Sequence, residues 1–147
     1  MTVGFFRQLL SKVSDLDHYR LVFVFDAPGD NFRKLQDSTY KANRTKKPNT
    51  FYQQIDEIVG LCKLIAPTYQ MPGFEADDLA GSFVTNLMTE EDTARLLTVD
   101  GDWLQLLKKG VTVQQLKTIG APVYWTRELF FEKYSGLTPD QLVDLIS

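Results

Sequence analysis

Residues 21–29 read Leu21-Val22-Phe23-Val24-Phe25-Asp26-Ala27-Pro28-Gly29. Five consecutive apolar residues, rich in β-branched and aromatic types and without polar alternation, predict a strand covered on both faces, as in parallel sheets. The Asp-Ala-Pro-Gly that follows closes it with a turn. Before this strand, Phe5, Phe6, Leu9, Leu10, Val13 and Leu16 fall at helical spacing within 4–17. After it, residues 31–47 are polar and basic, with Phe32 and Tyr40 interspersed, and Pro48 marks a stop. A helix is predicted over 50–66, a short strand over 68–71 ending at Pro72-Gly73, and a helix over 75–88 with Ala76, Leu79, Ala80, Phe83 and Leu87 inward. Residues 95–99 read as a second buried strand ending at Asp100, and 103–107 as a short helix. Residues 111–116 and 122–125 read as a pair of edge strands. Thr126 opens a helix through Lys133, and Thr138-Pro139-Asp140 opens another that continues to Ser147. Alternating helix and strand predict an α/β fold, a parallel sheet sandwiched between helices, with ligands outside the carboxyl ends of the strands.

The 147 residues, 44% hydrophobic and 24% charged, suit one folded domain with its own core. No apolar run reaches the roughly 20 residues of a membrane helix, and 1–10 lack the layout of a secretory leader, so no membrane partner and a cytoplasmic location are expected. The single Cys62 lies on the stripe Ile55, Ile58, Val59, Cys62, Ile65 and is expected to be an inert core thiol. With one cysteine and one histidine, His18, a zinc site of those ligands is excluded, so any metal is held by oxygen.

The net charge of −3 conceals a division. Residues 33–47 carry six basic side chains (Arg33, Lys34, Lys41, Arg44, Lys46 and Lys47) against Asp37, a local +5 that leaves −8 for the remainder. A basic segment on an acidic body suits a polyanion; the alternative is a solvated loop. The acids fall where the strand rule places a site. Asp26 follows the first buried strand, Asp100 and Asp102 follow the second, and Glu75-Ala76-Asp77-Asp78 starts a helix. Glu75 and Asp78 share a face at i,i+3, while Asp77 points elsewhere.

Six crowded carboxylates require cations, and hard oxygen donors suit magnesium or manganese. Two such ions about 3.5–4 Å apart can activate a water and stabilise the leaving oxygen of a phosphodiester. Each group also has a plainer reading: Glu75, Asp77 and Asp78 as complements of a helix dipole, Asp26 and Asp100 as turn formers. A calcium loop begun at Asp100 would need an acid where Val111 stands, so that reading fails.

Phe25-Asp26-Ala27, Tyr40-Lys41-Ala42-Asn43-Arg44, Phe74-Glu75-Ala76-Asp77-Asp78 and Asp100-Gly101-Asp102-Trp103 occur in that order. In order and spacing they resemble the 5′→3′ exonuclease and flap endonuclease family, which includes the amino-terminal nuclease domain of bacterial DNA polymerase I and the phage flap endonucleases. The resemblance covers nearly the whole chain and implies a PIN-like three-layer α/β/α sandwich with a mostly parallel sheet and a basic helical arch. It implies that Asp26, Glu75 and Asp77 help hold a first ion with Asp78 close by, and that Asp100 and Asp102 hold a second, the ions being Mg2+ with Mn2+ able to substitute. It further implies that Lys41 and Arg44 contact the scissile phosphate, with Tyr40 stacking on a displaced base. Arg33, Lys34, Lys46 and Lys47 are then auxiliary phosphate contacts, in keeping with basic residues interleaved with aromatics on a single strand.

Two departures from the family pattern stand out. Its members begin with a strand bearing a further aspartate, where this chain starts at Met1-Thr2-Val3. They also continue into a Gly-Asp-x-x-Asp-Asn segment and a helix–three-turn–helix. The expectation is therefore a single nuclease domain, 1–147, of a truncated or split phage-type enzyme acting on DNA with a 5′ flap or 5′ end, in a bacterial or phage-infected cytoplasm, with a second chain supplying the remainder. A strand within 21–25 or its neighbour is expected to be underpaired. The alternatives are a non-catalytic nucleic-acid-binding remnant and a PIN-type ribonuclease.

Overall fold

Phe23 and Val24 form β1, with Phe23 buried, and pair in parallel with β2 (Thr68–Tyr69) in the register Phe23↔Thr68 and Val24↔Tyr69. The backbone N–H groups of Phe23 and Phe25 extend the ladder to the carbonyls of Pro67 and Tyr69, at 2.9 and 3.0 Å. In the computed structural model, residues 1–12, 19–29, 31–37, 39–40, 47–117 and 119–142 are described. His18, Lys41, Arg44, Lys46 and the continuation of the last helix over 143–147 lie outside them. The chain divides into two compact units, 1–79 and 80–147.

In the first unit α1 (Thr2–Lys12) packs on α3 (Asn49–Ile65). The Thr2 hydroxyl donates to Glu57 at 2.8 Å across the pair. Ile58, Val59 and Cys62 are the buried stripe of α3, as their spacing requires. Cys62 is fully buried, and burial pushes its thiol pKa up, so it stays a protonated core group. Between β1 and α3 lies α2 (Phe32–Gln36), capped by Asn31, whose side chain accepts from the Lys34 N–H at 2.8 Å.

Helix α4 (Ala76–Ser82) passes into a single π-helical turn, Phe83–Leu87, where the apolar spacing predicts uninterrupted α-helix to Met88. Gly81 and Ser82 are weak helix formers at the junction. A Cβ at Gly81 would stand 3.5 Å from Leu106, in ordinary van der Waals contact. Lys108 closes the turn by donating to the Val84 carbonyl at 2.5 Å.

The second unit is built on a sheet of β3 (Ala94–Thr98), β4 (Val111–Gln115) and β5 (Val123–Trp125). β4 is parallel to β3 and antiparallel to β5, so the pairing is mostly parallel, as expected. β4 is central rather than an edge strand: the polar run Thr112, Gln114, Gln115 suggests half-exposure, yet Val113 and Gln114 are both fully buried. Among the described residues β1 pairs with β2 alone and β3 with β4 alone. Gly110 enters β4 at φ +81°, and an added Cβ would meet the Asp92 carbonyl oxygen at 2.6 Å, which requires glycine there. Helix α5 (Arg127–Lys133) is capped by Thr126, which accepts from the Leu129 N–H. It lays Phe130 into a core of Leu104, Leu107, Val113 and Leu142. Thr138 and Gln141 form a reciprocal capping box over the 3-10 turn Pro139–Gln141.

Asp92 ties the turn before β3, accepting from the Thr89 N–H at 2.7 Å and its hydroxyl at 2.9 Å. These bonds, the backbone one first, hold its pKa below the usual aspartate value. An acid with a depressed folded-state pKa stabilises fully above its unfolded pKa of about 3.9 and loses that contribution as pH falls through the folded value. Wild type is therefore expected to exceed Asp92→Asn in urea midpoint at pH 6, with the difference vanishing in stronger acid.

Candidate metal centre and nucleic-acid interface

The N-terminus of α4 gathers the predicted acids of the first unit. Asp26, at the end of β1, reaches across and accepts the Ala76 N–H through Oδ1 at 2.8 Å. It thus satisfies one orphan donor of a helix start fifty residues away, in addition to ending its own strand. Asp78 accepts the Glu75 N–H at 2.9 Å, and Asp77 accepts the Asp78 N–H at 2.9 Å. The i,i+3 relation of Glu75 and Asp78 is realised.

Glu75 is buried, with polar partners from the segment that follows β1. Asn31 donates from Nδ2 to its Oε1 at 2.6 Å, and the Tyr40 hydroxyl donates to its Oε2 at 3.2 Å. Arg33 lies over the Phe32 ring at 4.6 Å and forms a two-pronged bond to Asp78, Nη1 to Oδ2 at 2.8 Å and Nη2 to Oδ1 at 2.5 Å. It also stands 3.8 Å from Glu75 Oε2. The guanidinium is held above its ordinary pKa, chiefly by the hydrogen bond to Asp78. Arg33, expected as an auxiliary phosphate contact, lies on the carboxylates of Asp78 and Glu75 in this structure. Asn31 and the link from Arg33 to Asp78 were not singled out from the sequence; the N-cap preference of Asn ahead of Phe32 is a readable signal for the first, whereas the second pairs residues 45 positions apart.

Asp77 is half-buried beside Glu75 and Asp78. Burial first, then the charges of Glu75 and Asp78, push its carboxyl above the usual aspartate pKa, only partly offset by a backbone hydrogen bond and by Arg33. Among the described residues no three His, Cys, Asp or Glu side chains already form a metal cage. The donor chemistry nevertheless fits a hard divalent cation: Asp26, Glu75 and Asp77 supply carboxylate oxygens around a helix start.

In the second unit the turn after β3 positions the other two acids, both exposed. Asp100 accepts the Asp102 N–H at 3.0 Å, and its own N–H donates to Thr98 Oγ1 at 3.0 Å. Asp102 begins a 3-10 turn (Asp102–Leu106) and lines a pocket with Gln115, Lys117, Trp125 and Tyr134. The Gln115 side-chain oxygen accepts from both Lys117 and Trp125 at 3.1 Å, fixing the indole against the pocket wall. Of the predicted nucleic-acid contacts, Lys34 and Lys47 are exposed and Tyr40 is half-buried.

A family model for the 5′-3′ exonuclease N-terminal, resolvase-like domain matches residues 1–135. Thermostable DNA polymerase I of Thermus thermophilus is 38% identical over 143 residues, an alignment covering 96% of this chain and 16% of that protein. Among solved structures, the bacteriophage T5 D15 protein co-crystallised with metal ions superposes with a TM-score of 0.79 at 21% identity, over 97% of this chain and 55% of that one. The T5 D15 flap endonuclease in a pseudo-enzyme–product complex with DNA and metal ions gives 0.67 at 22% identity, over 91% and 52%.

The chain belongs to the 5′-3′ exonuclease N-terminal, resolvase-like family, and its α/β fold is the PIN-like fold of the T5 nuclease. It spans about a sixth of the length of the curated relatives it matches.

Proposed function

We propose that this chain is the carboxylate-bearing nuclease domain of a 5′→3′ exonuclease and flap endonuclease that hydrolyses DNA phosphodiester bonds with divalent metal ions. The observation that carries the proposal is the gathering of Asp26, Glu75, Asp77 and Asp78 at the start of α4. Family membership and the metal- and DNA-bound T5 neighbours support it. Asp26, Glu75 and Asp77 are the residues proposed to hold one ion, and Asp100 and Asp102 a second, with Mg2+ the ion in the cell and Mn2+ able to replace it.

When bound, such ions lower the pKa of an attacking water and stabilise the leaving oxygen. The chain's own side chains orient and grip. Asp26 fixes the start of α4 through Ala76, which holds Glu75 and Asp77 in place. Lys34 and Lys47, with Lys41, Arg44 and Lys46, form the basic segment proposed to track the phosphates of a single strand, with Lys41 and Arg44 at the scissile phosphate. Tyr40 supplies an aromatic face for a displaced base. The enzyme is proposed to act in a bacterial or phage-infected cytoplasm.

A 5′-labelled flap substrate, prepared with a DNA flap and with an RNA flap, tests this in Mg2+ and in EDTA. The DNA flap is expected to be cut only with the ion. Preferential cutting of the RNA flap would assign a ribonuclease. Salt-sensitive binding to the flap without cutting of either, in Mg2+ or Mn2+, would leave a binding module.

A further inference from the structure

The basic segment begins with a residue that faces acid rather than solvent. Arg33 closes a planar, two-pronged pair on Asp78, with side chains 32% and 17% exposed, and comes within 3.8 Å of Glu75. Its helix, α2, is laid along residues 73–78 by further contacts: the Phe32 N–H donates to the Gly73 carbonyl at 2.9 Å, Phe32 packs on Phe74 at 5.7 Å, and Asn31 bonds Glu75. A guanidinium so held is a built-in cation for part of the acidic cluster.

We infer that Asp78 is the counter-ion of Arg33 and not a metal ligand, and that this pair is the positioning device that fastens the start of the basic segment to the helix carrying the metal-binding acids. The geometry accounts for both residues at once. Both Asp78 oxygens accept from Arg33, and Oδ2 also accepts the Glu75 N–H, so its lone pairs point at protein donors. Asp77, by contrast, accepts one backbone N–H on one oxygen. Pairing Asp78 with Arg33 inside the protein lowers the negative field of the cluster, while Asp26 and Asp77, each accepting one backbone N–H, face a cation with less competition from protein donors.

The inference rests on the reading of Asp26, Glu75 and Asp77 as a cation site, and two measurements separate its fate from that reading. The first is Mn2+ titration by calorimetry. Arg33→Gln removes a competing cation and is expected to tighten Mn2+ binding about threefold or more. Asp78→Asn strands Arg33 beside Glu75 and is expected to weaken binding about tenfold. The double variant, with a neutral pair in place of a charged one, is expected to return to within about threefold of wild type. A double variant as weak as Asp78→Asn alone would make Asp78 a ligand and overturn the inference.

The second is a double-mutant cycle on urea unfolding in EDTA. Each single change is expected to lower the folding equilibrium constant about tenfold, and the double change about tenfold rather than a hundredfold. Additive loss overturns the pairing. If wild type binds no Mn2+, the cation-site reading fails and the cycle alone decides the pair. If Asp78→Asn does not fold, Arg33→Lys serves, because a point charge cannot reproduce the fork; unchanged stability in that variant overturns the inference.

Discussion

Phe130→Ala is expected to lower the stability of the second unit by about 3–5 kcal/mol, the usual cost of emptying a phenylalanine-sized site in a close-packed core. Phe130 is fully buried, stacked on Tyr134 at a ring separation of 4.3 Å and edge-on to Trp125 at 6.5 Å. It plugs the cluster of Leu104, Leu107, Val113 and Leu142, so its loss leaves a cavity walled by a sheet, a 3-10 turn and a capped chain end. Those walls cannot collapse without breaking the β3–β4–β5 register. Against a total of about 5–15 kcal/mol for an ordinary domain, such a loss removes a substantial share of the stability. Both tryptophans, Trp103 and Trp125, lie in this unit, so urea unfolding followed by tryptophan fluorescence reports it directly. The neighbouring Phe131 is 52% exposed, and Phe131→Ala is expected to change stability by no more than about 0.5 kcal/mol. Equal effects from the two would mean that the inward face of α5 has been misassigned.

Phe130 illustrates what kind of information lies open in the chain. The Thr126 cap and the apolar pair Phe130-Phe131 announce a helix with one buried face, because capping and periodicity are local. The same holds for the acids at strand ends and for Ile58, Val59 and Cys62 of α3, whereas the run at 21–25 is a strand only at Phe23–Val24, with Val22 41% exposed, and Ile65 of the α3 stripe is 58% exposed. Two features were not legible for a common reason. β4 reads as an edge strand because Thr112, Gln114 and Gln115 are polar, yet it lies between β3 and β5 with Gln114 fully buried. Arg33 reads as one cation among six, yet it meets an acid 45 residues later. In both cases the deciding neighbour arrives through the tertiary fold, and no propensity of the residue itself encodes it. The π-helical turn at 83–87 is intermediate: Gly81 and Ser82 weaken the helix locally, but the Lys108 bond that closes the turn comes from a distant loop.

Charge and burial separate two roles for Asp77. Were it only an acid complementing the start of α4, its carboxylate would stabilise the folded chain modestly, and asparagine would forfeit that. Its surroundings point the other way. Burial and the neighbouring charges of Glu75 and Asp78 disfavour the ionised carboxylate, with Arg33 and a backbone N–H offering partial relief. Asp77→Asn keeps an oxygen able to accept the Asp78 N–H and removes the charge. In EDTA the variant is therefore expected to be more stable than wild type, by urea midpoint at neutral pH. In the presence of divalent ions the order is expected to change. A charged ligand lost from a hard-oxygen site should weaken Mg2+ or Mn2+ binding by at least about 10–100-fold, the cost already seen when only an outer-shell partner is removed. Cleavage of a DNA flap should fall with it, and the ion should raise the midpoint of wild type but not of the variant. Asp26→Asn, in which an asparagine at the exposed position can still accept the Ala76 N–H and hold the helix start, is expected to weaken ion binding as well, since it too removes a charged ligand. A destabilised Asp77→Asn with undiminished ion affinity would return Asp77 to the helix-dipole role and remove it from the metal centre. A gain in metal-free stability bought with a loss of ion binding would identify it as a group kept in an unfavourable place because its occupant is a cation.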